Sequence, residues 1–403
     1  MMFKRLASGL VTALATFTIL AVATHASAAA RPNPPTRICI DQTCLPEDPE
    51  HSGEGIKWHP GHYVFIGGNK HTPEIIARNL KLFDQIGNES TLKGVQLYMW
   101  WGDLEGANKG DYSPGYALID TYLKKLKSLK YPKQLMIVIL ERAFVFGAPA
   151  DKATMAKFYP MYLLSSEYNS GYAAAPAGTQ WSGGLTFVAR LWEAPVMDRL
   201  VALSKALGSR YDKDPNVEML SLAETTLNPP VSGFSQAAYG AQLQRWYAAT
   251  KQAWPHTQLR LYANYFGSDT DMTNLISKTT AAAGVAVGGP DPELPLPTIT
   301  RSIQANRIFR AGSGGGNDLR GQIPWVGEQQ EFGLTGRFVQ TPNQIFDYQY
   351  GTMRASYMIW LMNTYAGGDP QKWATGILPY IRSVGGKIHA ECPASYQSRC
   401  EPK

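Results

Sequence analysis

Cysteine is scarce in this 403-residue chain and confined to its ends: Cys39, Cys44, Cys392 and Cys400, with none between. No histidine pair stands close to them at ligand spacing, which argues against a zinc site. In an exported chain they are expected to form disulfides. Three connectivities are possible, and the local loops 39–44 and 392–400 are the simplest. Charge is also sparse, with Asp, Glu, Lys and Arg making up 17% of residues. The formal net charge of +6 falls to +4 once Lys4 and Arg5 are set aside with the leader described below. That balance is too mild and too scattered to mark a nucleic-acid binder. Long apolar runs are missing beyond the first 28 residues. There, Leu10 to Ala23 follows Lys4 and Arg5 and precedes Ala26-Ser27-Ala28. About 14 apolar residues make a poor membrane span but suit a signal peptide with a small-residue cleavage site. The expectation is an exported bacterial protein, periplasmic or extracellular, with no stable membrane insertion.

What is present is alternation. Strand-like apolar runs fall at His62–Gly67, Val95–Trp101, Gln134–Glu141, Glu218–Glu224, Arg260–Phe266, Gly284–Gly288, Ile323–Glu328 and Tyr357–Met362. Helical patterns fall between several of them, at Pro73–Ile86, Gly115–Leu129, Pro195–Leu207, Gln236–Trp254 and Asp369–Val384, each marked by apolar spacing. Strands alternating with helices imply a parallel sheet, and eight strands close a (β/α)8 barrel. No glycine-rich phosphate loop follows the first strand, as an open dinucleotide-binding sheet would need. The reading is an α/β fold, one (β/α)8 barrel over residues 58–385, with a long insertion after strand three. A signal peptide (1–28), an irregular arm (29–57) and a cysteine-bearing tail (386–403) surround it.

Barrel chemistry is assembled where strands end. By that rule the candidates are Trp100, Trp101, Asp103, Glu105, Glu141, Arg142, Glu224, Asn264, Tyr265, Glu328, Trp360 and Asn363. This ring holds carboxylates and aromatics, without a Ser-His-Asp pattern or a metal set, so no metal and no cofactor are expected. Such a mixture suits sugars. A glycosidic bond breaks through an oxocarbenium-like transition state, which needs one carboxyl group to protonate the leaving oxygen and another to attack or activate water.

Three stretches sharpen this. "GDYSPGYALIDTYLKKLKSLKYPKQLMIVI" (110–139), "LWEAPVMDRLVALSKALGSRYDKDPNVEMLSLAET" (191–225) and "IPWVGEQQEFG" (323–333) resemble the retaining (β/α)8 glycoside hydrolases that carry catalytic glutamates on strands four and seven. The resemblance implies Glu224 as acid/base and Glu328 as nucleophile, with Glu331 of "EFG" as the alternative nucleophile. It also makes Trp360 the aromatic that closes the sugar site. Those enzymes generally carry Asn just before the acid/base, whereas this chain has Ala223. Trp101, Glu141, Arg142, Asn264, Glu331 and Trp360 are taken as sugar contacts. A polysaccharide or oligosaccharide is the expected partner of a monomer, and a non-catalytic sugar-binding barrel is the alternative function.

Plainer roles exist for each residue. Glu224 can be an ion-pair partner of Arg142, and Glu141-Arg142 an internal salt bridge. Asp103 and Glu105 read as solvated or loop-capping. Asp212 and Asp214 read as turn residues, and His59 and His62 as hydrogen-bonded structural histidines. Adjacent strand residues face opposite ways, so at most one of Trp100 and Trp101 can face a cleft.

Overall fold

The computed structural model describes residues 39–40, 43–44, 55–67, 70–146, 152–174, 184–226, 233–264, 266–290, 292, 319–329, 341–362 and 373–401. The expected signal peptide, most of the N-terminal arm, Trp181, Tyr265, Glu331 and Asn363 lie outside them.

Eight strands form a closed barrel in which each strand lies parallel to both neighbours. They are β1 (Gly61–Ile66), β2 (Leu92–Trp100), β3 (Gln134–Leu140), β4 (Val217–Leu222), β5 (Gln258–Tyr262), β6 (Val285–Pro290), β7 (Trp325–Gln329) and β8 (Tyr357–Leu361). A parallel strand covered by helices outside and side chains inside is dry on both faces, so it reads as an unbroken apolar run. "QLMIVIL" of β3 is buried at every position. The runs read from the sequence match the eight strands to within a few residues. The glycine-rich β6 extends to Pro290, past the expected end at Gly288.

The main helices are α1 (Pro73–Ile86), α2 (Ser113–Lys127), α3 (Ala194–Tyr211), α4 (Gln236–Ala253) and α5 (Asp269–Thr279). Helix α1 starts where Thr72 Oγ1 accepts from the Ile75 amide and proline fills the first turn, both standard start signals. Helix α5 was not anticipated. Its sequence "DTDMTNLISKT" is polar, and only Met272, Leu275, Ile276 and Thr279 are buried. A Ser268–Asp271 capping box starts it, each side chain bonding the other's backbone amide.

The insertion after β3 carries a small antiparallel sheet: Arg142–Phe146 pairs with Gly184–Ala189, which pairs with Tyr172–Ala174. It is anchored to the barrel by Glu105. That carboxylate is buried and accepts from Trp101 Nε1 (2.9 Å), the Gly110 amide (2.8 Å), the Tyr162 hydroxyl (2.9 Å) and Arg199 Nη2 (2.9 Å). A solvated role for Glu105 is therefore replaced by a buried one, because insertion and helix α3 both fold over it.

The opposite end of the barrel is sealed by the tail. Cys400–Glu401 pairs in parallel with Ile56–Lys57, and Cys392 is bonded to Cys400. The side chains of Cys39 and Cys44 lie outside the described residues. Tyr396, fully buried, donates to Gln258 Oε1 (2.9 Å) inside the barrel floor. Closing this short loop removes chain entropy from the unfolded state, by about 2–3 kcal/mol. Cys392→Ser/Cys400→Ser is expected to lower the unfolding free energy by that margin and with it the melting temperature, read by calorimetry, and reductant should mimic it.

Candidate active site

The register of the barrel sorts its side chains. Laterally paired residues in a parallel ladder point the same way, so Gln96, Tyr98 and Trp100 of β2 share the interior with Met136 and Val138, Ser221, Arg260 and Tyr262, Glu328, and Tyr63 and Phe65. Residues one position along face the helices.

Glu328, near the end of β7, is fully buried and faces this interior. Its Oε1 accepts from the Tyr98 hydroxyl at 2.8 Å, and its Oε2 from Arg260 Nη1 at 3.0 Å. The Tyr98 hydroxyl also lies 3.1 Å from that of Tyr262, and the Arg260 guanidinium covers the Tyr262 ring at 4.1 Å. Burial first, and then the negative charge of Glu328, push Tyr98 well above the ordinary phenol range. Tyr98 therefore stays protonated and keeps donating.

Glu141 follows β3 directly and is paired with its neighbour. Arg142 Nε and Nη2 reach Glu141 Oε1 at 3.1 and 2.8 Å, both residues being buried. Glu141 Oε2 accepts the Ala223 amide at 3.2 Å, which ties β3 to the exit of β4.

Glu224 lies two residues beyond β4, with part of its surface still open. Asn264 Nδ2 donates to its Oε2. Burial raises its pKa above the ordinary carboxyl range. Arg142 and Asn264 oppose the rise, while Glu328 and Glu141 add to it. Electrostatic influence of Glu328 and Glu141 on Glu224 means the three carboxylates share one neighbourhood.

Glu224, Glu328, Glu141, Arg142 and Asn264 are thus brought together. Trp101 and Trp360 are not. Trp101 is fully buried and spends its indole N–H on Glu105. It is Trp100 that takes the inward register, its ring 4.4 Å from Phe158. Trp360 pairs laterally with Gln329, next to Glu328, and so faces outward. It is fully buried, its Nε1 donates to His62 Nδ1 at 3.0 Å, and its ring stacks on His62. Burial pulls His62 down to about 4, so it stays neutral and accepts this bond. A sequence reading of strand ends missed Tyr98 and Arg260, because they sit inside strands. The available signal was Arg260 itself, since a buried cation in an apolar strand needs a partner. Among the described residues there is no cluster of three or more His, Cys, Asp or Glu side chains placed to hold a metal. No described helix is long and apolar enough to cross a membrane.

A closed eight-stranded parallel barrel, here with carboxylates gathered at its strand ends, defines a (β/α)8 fold. Solved structures share that fold. Endo-glycoceramidase II from Rhodococcus sp., complexed with a five-membered iminocyclitol, matches with a TM-score of 0.51 at 12% identity, covering 78% of this chain and 76% of that one. Another structure of the same enzyme gives 0.50 at 13% identity, over 78% and 76%. The β-glucanase SdGluc5_26A from Saccharophagus degradans gives 0.49 at 11% identity, over 81% and 88%. At these identities the likeness is one of fold. No protein-family model matches the chain, and no curated protein sequence does.

Proposed function

We propose that the chain is an exported glycoside hydrolase acting on a polysaccharide or oligosaccharide by a retaining mechanism, with Glu224 as acid/base and Glu328 as nucleophile. The observation that carries this is the division of charge among three neighbouring carboxylates. Glu141 has the Arg142 guanidinium and Glu328 has that of Arg260, whereas Glu224 is held by a neutral amide. Glu224, raised above the ordinary carboxyl range by burial, suits the acid role, and Glu328, ion-paired with Arg260, suits the nucleophile role. In this reading Glu224 delivers a proton to the glycosidic oxygen as Glu328 attacks the anomeric carbon. Glu224 then takes a proton from the water that releases the sugar. Retention asks for the two carboxyl groups about 5–5.5 Å apart.

The test is reducing-end release from a glycan panel by the wild type and by Glu224→Gln and Glu328→Gln. Glu224→Gln is expected to lose about 10³-fold on natural glycans, within the range for a removed general acid. Aryl glycosides with good leaving groups need no such proton, and azide needs no general base, so together they should restore turnover. Unchanged glycan cleavage by Glu224→Gln would rule the assignment out. Binding without release by the wild type would make the chain a sugar-binding barrel instead.

A further inference from the structure

Beside Glu224 the chain builds a second device. Thr225 and Thr226, which follow it, clamp the exit of β5. The Thr225 amide donates to the Tyr262 carbonyl at 3.0 Å. The Thr225 hydroxyl donates to the Asn264 carbonyl at 2.6 Å and accepts the Asn264 amide at 2.9 Å, and the Thr226 hydroxyl donates to the same carbonyl at 2.9 Å. Two strand exits are thereby fixed to each other through main-chain atoms of Asn264, leaving its side chain for another use. That side chain is buried, and its Nδ2 meets Glu224 Oε2. A carboxylate oxygen only accepts, so the amide nitrogen is the end that faces it. Glu224 Oε1 has no hydrogen-bond partner among the described residues, on a side chain that keeps part of its surface open.

We propose that Asn264 is the positioning residue of the acid: it pins Oε2 of Glu224 and so assigns the transferable proton to Oε1. This rests on the function proposed above. In the glycosylation step the Oε1–H bond breaks as the new O–H bond forms on the leaving oxygen. At the same time the anomeric carbon exchanges that oxygen for the Glu328 carboxylate, so the electron pair of the broken bond stays with the leaving alcohol. Glu224 ends as a carboxylate whose Oε2 already holds an N–H donor, which steadies the charge just formed. A neutral amide does this without the strong downward pull of another cation. The groups facing Glu224 are Glu141 and Arg142 beyond β3, Tyr239 from α4, Tyr262 from β5 and Asn264 just past it, and Glu328 from β7. Among them Asn264 is the one whose side chain donates a hydrogen bond to Glu224.

The experiment compares wild type, Asn264→Ala and Asn264→Asp in the full chain. Titration of Glu224 by NMR with ¹³C-labelled glutamate side chains, assigned through Glu224→Gln, reads the bond without needing a substrate. Losing a donor to the charged form raises a carboxyl pKa, so Asn264→Ala should move Glu224 up by about one unit. Asn264→Asp should move it further, because two carboxyl groups then share a proton. The alkaline limb of kcat/KM should follow in the same order. Glycosides with poor leaving groups should lose about 100-fold in Asn264→Ala, and those with good leaving groups only a few-fold. An unmoved Glu224 titration, or equal losses on both substrate types, would overturn the proposal. A shifted titration in a protein that cleaves no glycoside would leave the Asn264–Glu224 bond standing and sink the hydrolase reading, and with it the proton transfer.

Discussion

Glu328→Gln is expected to abolish turnover of every glycoside, activated or not, by about 10⁵-fold, as removing the nucleophile of a covalent hydrolase does. The contrast with Glu224→Gln is the informative part. A missing acid can be bypassed by a leaving group that departs unaided, but a missing nucleophile cannot, because no glycosyl-enzyme forms. A slowly released fluorinated glycoside should therefore label the wild type at Glu328, seen by mass spectrometry of peptides, and leave Glu328→Gln unlabelled. The buried surroundings sharpen the expectation. Glu328 accepts on one oxygen from Tyr98 and on the other from Arg260. The amide that replaces it can accept from Arg260 through its oxygen and donate to the Tyr98 hydroxyl through its N–H₂ group, but it leaves the buried Arg260 charge without its counter-charge. Removing one member of a buried ion pair costs about 3–5 kcal/mol, so a lower melting temperature should accompany the loss. Circular dichroism at the assay temperature separates the two effects: the folded variant must still be inactive. Label on Glu331 in the wild type would move the nucleophile to that residue.

The barrel was legible because its strands are buried on both faces. "QLMIVIL" and "YMIWLM" carry no polar break, and length separates them from helices. Helix α5 was not read because its amphipathic stripe is short, although Ser268 with Asp271 three residues on is a helix-start signal in the sequence. At the site, strand ends pointed to Glu224, Glu141, Arg142 and Asn264, because position along a strand is a one-dimensional property. Facing is not. Whether Trp360 or its neighbours on β8 look inward depends on register with β7 and β1, which only the closed sheet sets. Trp101 was misplaced for a related reason: the strand ends at Trp100 and a helical turn begins, carrying the indole to Glu105. Arg260 was overlooked because it is mid-strand, although its charge marked it. Its partner lies on β7, 68 residues away, a distance no local pattern spans.

Glu218→Leu is expected to destabilise the chain by about 3–5 kcal/mol while sparing the chemistry of molecules that remain folded. Glu218 sits at the start of β4, where the pairing with β3 slips by one residue between Val217 and Met219. Such a bulge re-aims a side chain, and here the fully buried carboxylate collects donors from the barrel floor. His59 approaches with its amide at 2.9 Å and its Nδ1 at 2.5 Å, Gln258 Nε2 at 2.8 Å and the Tyr357 hydroxyl at 2.6 Å. Leucine accepts none of these; Gln258 Nε2 keeps the Lys57 carbonyl at 3.0 Å, but the His59 donors lose a buried acceptor, the expensive half of a lost hydrogen bond. Glu218→Gln keeps one acceptor oxygen and the shape, so it should cost less, about 1.5–3 kcal/mol. The loss should reach the tail, because Gln258 also holds Tyr396. Limited proteolysis should then cut near the Cys392–Cys400 loop sooner in Glu218→Leu than in the wild type. Glu224 and Glu328, the proposed acid/base and nucleophile, lie at the other ends of the strands, so kcat of the folded fraction should be unchanged. Denaturant unfolding ranks the variants: wild type, then glutamine, then leucine. A leucine variant as stable as the wild type would show that the floor network contributes no net stability. One that stays stable but loses kcat would tie the floor to the rim, contrary to the layering inferred from the sheet register.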